Sequence, residues 1–173
     1  VMKSCAQGME PLLASKKVWE ESGCQAAGNG AVMRCTPVGL WHWHDLERLS
    51  QDSVTTARLT HYDPRCSYGT VAINTALALI LRGKTEPQEI VNRILTLIAG
   101  QSQELEQEIS GLTSQSLARL DLDGPDKGYT VLTTRAALLT LFEAENFEEG
   151  LVTLIDKGGD TDTNGAVAGA LLG

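Results

Sequence analysis

At 173 residues the chain is one domain by length and long enough to bury a real hydrophobic core. Its 42% hydrophobic and 21% charged content is ordinary for a globular protein, and scarce aromatics (5%) beside abundant Ala, Leu and Gly favour packed helices over a β-sandwich. A formal charge of −8 argues against a sequence-independent nucleic-acid binder, and leaves any anionic ligand to be met by local cations or backbone N–H groups.

The opening Val1-Met2-Lys3-Ser4-Cys5 does not read as a signal peptide, and no apolar run approaches the ~20 residues of a membrane span. Cys5, Cys24, Cys35 and Cys66 form no C-x-x-C pair and show no zinc-like spacing with histidine. The expectation is a cytoplasmic chain with free thiols.

In chain order, Ala6 to Glu21 predicts a weakly patterned helix, followed by the turn-rich stretch Ser22 to Gly30. Pro37 and Gly39 speak against a long helix after it. From Pro64, the residues Ile73, Ala76, Leu77, Ile80 and Leu81 recur on one apolar helical face, and Gly83 supplies the stop. A second stripe, Ile90, Ile94, Leu97 and Ile98, predicts a helix from Glu86 to Ala99. Gln101 to Ser116 reads as a helix with a solvated face at Glu104, Glu106 and Glu108. Asp121 to Asp126 is a loop by its turn chemistry, and helices are expected over Thr130–Glu145 and Phe147–Asp156. Gly158-Gly159 breaks the chain before a last helix from near Thr163, whose stripe Ala166, Gly169, Ala170 and Gly173 suits close packing. That stripe runs to the last residue without a cap, so the expectation is an all-α single domain, 1–173, truncated at both ends.

Asp160 and Asp162 stand two apart beside Thr163, a hard oxygen set suited to Mg²⁺, Mn²⁺ or Ca²⁺ rather than zinc. The plain alternative is that Asp162 or Thr163 caps the helix. Gly28-Asn29-Gly30 is either a simple turn or a place where backbone N–H groups receive an anion. Trp41-His42-Trp43-His44 offers two histidines, too few to close a metal shell, and reads as a surface or packing loop.

The string Gly158 to Gly173, GGDTDTNGAVAGALLG, resembles the C-terminal metal motif of the ADP-ribosylglycohydrolase family. Three further stretches resemble that family in the expected order: Ala27 to Arg34, Leu59 to Pro64, and Lys127 to Thr130. The resemblance implies an all-α helical bundle holding two divalent cations, Mg²⁺ or Mn²⁺, at the base of an ADP-ribose cleft. It implies Asp160, Asp162 and Thr163 as metal ligands, and Gly28, Asn29, Gly30, His61 and Tyr129 around the ADP-ribose. For His61 the alternative is hydrogen bonding between loops, and for Tyr129 it is ordinary core burial.

The implied reaction is hydrolysis of the bond linking ADP-ribose to an acceptor, with ADP-ribose or an ADP-ribosylated protein as partner and neither membrane nor nucleic acid involved. Two departures stand out. Ala26 takes a place where some relatives carry an aspartate, and the family's N-terminal Thr-Asp-Asp-Thr-like metal motif has no counterpart in these residues. The catalytic carboxylate is therefore expected outside them, and a catalytically inactive ADP-ribose-binding or structural relative is the alternative reading.

Overall fold

A computed structural model describes residues 1–173. The helices are α1 (Met2–Ala6), α2 (Pro11–Glu21), α3 (Thr36–Trp41), α4 (Leu46–Arg58), α5 (Pro64–Leu81), α6 (Pro87–Ile98), α7 (Gln103–Ser110), α8 (Thr130–Glu143), α9 (Phe147–Ile155) and α10 (Thr161–Leu172). Three short 3-10 turns complete them, and the only β pairing is an isolated antiparallel bridge between Gly28 and Tyr129. The all-α expectation holds.

Three local expectations change. The helix expected over Ala6–Glu21 starts only at Pro11, after α1 has ended at Ala6, because Gly8 takes φ +89° and Glu10 caps the new start through its bond from Leu13 N–H. The helix expected over Gln101–Ser116 ends at Ser110 and gives way to a 3-10 turn at Leu112–Ser114. After Gly30 no long helix forms, as expected: Pro37 stands in the first turn of the six-residue α3, where its missing N–H is harmless. Residues 46–58, for which no helix is predicted, form α4 with Asp45 as N-cap, accepting from Arg48 N–H at 3.0 Å.

α5 is the axis of the fold. The sequence pattern gives it one apolar face, yet nearly every residue from Cys66 to Leu79 is buried, because α3, α4, α6, α8 and α10 surround it. Its polar residues are therefore buried as well, and some find partners: Thr70 Oγ1 donates to the Cys66 carbonyl, and Asn74 Nδ2 to Ser53 Oγ. Ile73, Ile90, Ile94, Leu138, Leu139 and Val167 form the shared core between α5, α6, α8 and α10.

α9 and α10 pack antiparallel as ridge into groove. Phe147, Leu151 and Ile155, four residues apart, lie over Gly173, Gly169 and Gly165, where a Cβ would stand 3.4, 3.6 and 3.9 Å from them. This explains the small-residue stripe at Gly169 and Gly173, whereas Ala166 is exposed. All four cysteines are free, and burial pushes the thiols of Cys35 and Cys66 up to about 12. No helix is long and apolar enough to cross a membrane.

Candidate functional site

The segment Gly158 to Thr163 turns sharply before α10. Gly158 and Gly159 take φ of +76° and +74°, the left-handed region that glycine tolerates. A Cβ on Gly159 would overlap the Leu122 carbonyl, so the 121–126 loop is seated directly on this turn. Asp123 Oδ1 fixes it by accepting from Gly159 N–H at 3.2 Å.

α10 starts at Thr161 with Asp160 as N-cap, but the Asp160 side chain makes no capping bond. Asp162 and Thr163 lie inside the first turn, so neither serves as the cap that the plain reading proposed. The Asp160 carboxylate instead accepts from Asn29 Nδ2 at 2.7 Å, across 131 residues of sequence. That amide bond, together with contributions from Asp162 and Thr163, holds the Asp160 carboxyl below its ordinary range despite partial burial. Asp160 is half-buried, Asp162 exposed and Thr163 buried, and no third Asp, Glu, His or Cys joins them in a cluster suited to a metal.

Asn29 is buried and gives a second bond from Nδ2 to Thr133 Oγ1 on α8 at 2.9 Å. Its backbone is pinned as well: Asn29 N–H donates to the Gly128 carbonyl at 2.9 Å, and Thr130 N–H to the Ala27 carbonyl at 3.0 Å. Gly128 follows at close range, since a Cβ there would lie 3.7 Å from Asp160 Oδ2. The N–H groups of Gly28 and Gly30 donate to no backbone carbonyl.

His61 packs across this loop. A Cβ at Gly30 would stand 2.8 Å from His61 Cε1, and one at Gly28 3.9 Å from Nε2. The ring's Nδ1 lies 2.8 Å from Thr60 Oγ1, and burial with the nearby Arg34 charge lowers its pKa, favouring neutral imidazole. The structure therefore brings Gly28, Asn29, Gly30, His61, Tyr129 and Asp160 into one neighbourhood, with Asp162 and Thr163 on the following turn.

Tyr129 is neither fully buried nor free. Its hydroxyl donates to Glu104 Oε1 at 2.5 Å and accepts from Arg65 Nη1 at 3.2 Å, with the Arg65 guanidinium 5.6 Å from the ring centroid. Burial, then the Glu104 bond, raise its pKa, so it stays a neutral phenol. Behind it lies a cavity of about 340 Å³ lined by Glu104, Glu108, Asp121, Asp126 and Arg135.

Arg65 and Asp63 form the support for this side of the site. Asp63, 1% exposed, receives Arg65 Nε at 2.9 Å, Nη2 at 2.8 Å and Trp19 Nε1 at 2.8 Å. Burial alone would raise its carboxyl, but these donors outweigh it and hold the pKa below the usual value. Sequence reading did not single out Thr133, Asp63 or Arg65, and it placed Glu104 only on a solvated helix face, whereas its carboxylate takes Tyr129 and Arg65. Only Asp63 carried a local signal, as a helix cap directly before Pro64.

The family model for ADP-ribosylglycohydrolase matches residues 1–173. The chain is 30% identical over 152 residues to the ADP-ribosyl-[dinitrogen reductase] glycohydrolase of Rhodospirillum rubrum, covering 85% of this chain and 45% of that protein. It is 23% identical over 160 residues to an ADP-ribosylarginine hydrolase of Serratia proteamaculans, covering 86% of this chain and 40% of that protein. An uncharacterized protein of Archaeoglobus fulgidus is 25% identical over 158 residues, at 90% of this chain and 52% of its own length. The chain thus spans about half the length of the curated relatives it matches. Among solved structures, an ADP-ribosylglycohydrolase-related protein complex superposes with a TM-score of 0.69 at 24% identity, over 98% of this chain and 59% of that one, a likeness of fold. With the helical architecture and the whole-length match together, the chain belongs to the ADP-ribosylglycohydrolase family.

Proposed function

We propose that this chain is the ADP-ribose-cradling and cation-holding part of a divalent-metal-dependent hydrolase that cleaves the bond between ADP-ribose and an acceptor side chain. The observation that carries the reading is the 2.7 Å bond from Asn29 to Asp160, which joins the Gly-Asn-Gly loop to the acidic turn. A ligand whose diphosphate met the free N–H groups of Gly28 and Gly30 would then extend toward Asp160 and Asp162.

The donor set fits a hard cation in part. Asp160, Asp162 and Thr163 offer only oxygens, which suits Mg²⁺ or Mn²⁺, but three donors fall short of the six oxygens such an ion prefers. When bound, divalent cations supply concentrated positive charge that orients substrate oxygens. Asn29 keeps Asp160 ionised and oriented for that duty by donating to Oδ2. His61, held neutral, walls the loop without adding charge, and Tyr129 presents a phenol fixed by Glu104 and Arg65. Glycoside cleavage also needs a carboxylate near the anomeric carbon, and the one further acid bonded to this turn, Asp123, is taken up by Gly159 N–H and forms no metal-suited cluster with Asp160 and Asp162.

That shortfall favours a second reading for the chain alone, a relative that binds ADP-ribose without cleaving it. The test is release of ADP-ribose from an ADP-ribosylated protein, with Mg²⁺ or Mn²⁺ against a chelator control. The chain is assayed alone and together with the portion of the family domain that the relatives carry beyond the matched region. Chelator-sensitive release in the supplemented sample, lost in Asp162→Ala, supports the hydrolase. ADP-ribose binding with no release in any sample supports the second reading, and neither binding nor release removes both.

A further inference from the structure

Threonines buried in helices often return their hydroxyl to their own backbone, donating to the carbonyl four residues back. Thr134 and Thr140 on α8 do so, each at 2.8 Å, as does Thr70 on α5 at 2.9 Å. Thr133 does not, although it is buried on the same helix. Its Oγ1 instead meets the Gly28–Gly30 loop, 2.9 Å from Asn29 Nδ2. The Thr133 N–H meanwhile donates to the Tyr129 carbonyl at 3.0 Å, which places the residue one helical turn beyond Tyr129.

The hydrogens of the Asn29 amide are limited in number, and that gives the contact its meaning. An ionised carboxylate can only accept, so the amide atom 2.7 Å from Asp160 Oδ2 must be the nitrogen. That nitrogen carries two hydrogens, and the second goes to Thr133. The amide plane is therefore set by two acceptors, one on α8 and one at the N-cap of α10. With a single acceptor the amide could turn about its last side-chain bond, a torsion with broad minima, and still touch Asp160. The carbonyl Oδ1 is the atom left over: it takes no hydrogen bond from the chain and keeps contact with solvent.

We infer that Thr133 is a positioning residue, which takes one Asn29 amide hydrogen, fixes the plane in which the other holds Asp160, and so presents Asn29 Oδ1 to the ligand as an acceptor. The loop then offers both kinds of partner. The N–H groups of Gly28 and Gly30 donate, and Oδ1 between them receives a hydroxyl. Thr133 serves the proposed ADP-ribose site, on whose reading its role in binding rests.

The experiment compares Thr133→Val with Thr134→Val in the 173-residue chain. The two threonines are neighbours, both are buried, and each variant exchanges a hydroxyl for a methyl, so a purely structural role would make them behave alike. Proton–nitrogen NMR signals of the Asn29 side chain, identified by their disappearance in Asn29→Ala, report the amide directly. In Thr133→Val one of its two proton signals should shift and exchange with solvent faster. ADP-ribose affinity, by calorimetry, should fall about ten-fold, the effect of one lost positioning hydrogen bond. Thr134→Val should leave both readouts unchanged, and Thr133→Ser, which keeps the oxygen, should retain them. Should Thr133→Val fail to fold, Thr133→Cys, a weaker acceptor of similar shape, carries the same expectation. Unmoved Asn29 signals, equal changes in Thr134→Val, or shifted signals with unchanged ADP-ribose affinity would each overturn the assignment. If the unaltered chain binds no ADP-ribose, the reading of the site fails by itself, and the amide signals still decide whether Thr133 fixes Asn29.

Discussion

Gly159 and Gly165 lie six residues apart and should respond to alanine in opposite directions. At Gly159 the backbone has φ +74° and a Cβ would run into the Leu122 carbonyl, so Gly159→Ala carries the left-handed cost and must also displace the 121–126 loop. We expect a loss of at least ~2 kcal/mol by urea unfolding. At Gly165, inside α10, the new methyl meets only Ile155 at 3.9 Å, so Gly165→Ala should gain about 0.5–1 kcal/mol. The reverse order would mean that the loop is not seated on the turn. Gly30→Val tests the ligand loop, because its Cβ would stand 2.8 Å from His61 Cε1 and force the ring aside. ADP-ribose affinity, by calorimetry, should fall while Mn²⁺ binding is kept; equal affinity in a folded variant would reduce the loop to a plain turn. At this scale the acidic turn was legible because its residues are contiguous. The Asn29–Thr133 bond was not, since its partners stand 104 residues apart and threonine carries no local signal of such a role.

Among elements, α5 begins on a buried ion pair between Asp63 and Arg65. Asp63 caps the helix and is buried against Arg65 and Trp19, and its folded pKa lies below its ordinary value near 3.8. A depressed carboxyl contributes stability that is present above the unfolded pKa and lost as pH falls through the folded one. Wild-type stability should therefore decline below about pH 4 more steeply than that of Asp63→Asn, measured by denaturant titration across pH. A parallel pH dependence in the two proteins would remove Asp63 from the acid transition. Apolar stripes made α5 and α6 readable from sequence, and they, like α8, were placed to within two residues at most ends. α4 escaped because its buried face is built from Leu49, Ser53 and Ala57, too short and polar to announce itself beside its charged residues. The polar burial along α5 was invisible for a related reason: Thr70 and Asn74 look like solvent-facing residues until neighbours are placed around them.

As a whole, the molecule presents an acidic turn with three oxygen donors and no third acidic, histidine or cysteine side chain to complete a cluster. Two carboxylates and a hydroxyl leave a hard cation short of ligands, so the chain alone should bind Mn²⁺ no tighter than about 10⁻⁴ M, the weak end of oxygen-ligand sites. Adding the portion of the family domain found in relatives beyond the matched region should raise affinity and turnover together. Tight, stoichiometric Mn²⁺ binding by the 173 residues alone would show that their own donors suffice.

The small bridge between Gly28 and Tyr129 has a consequence for motion. Its two hydrogen bonds, Asn29 N–H to Gly128 and Thr130 N–H to Ala27, flank one pair of residues and cannot break far apart in time. The Gly28–Gly30 loop and the Tyr129 segment are thus one opening unit, and the Asn29 side chain ties that unit to Asp160. In amide hydrogen exchange, Asn29 and Thr130 should report the same opening free energy. Asp160→Ala, which removes the acceptor of the Asn29 side chain, should accelerate both while leaving Ile73 in the middle of α5 protected. A substrate that binds here would then slow the exchange of two stretches of chain a hundred residues apart, even if it touched only one of them.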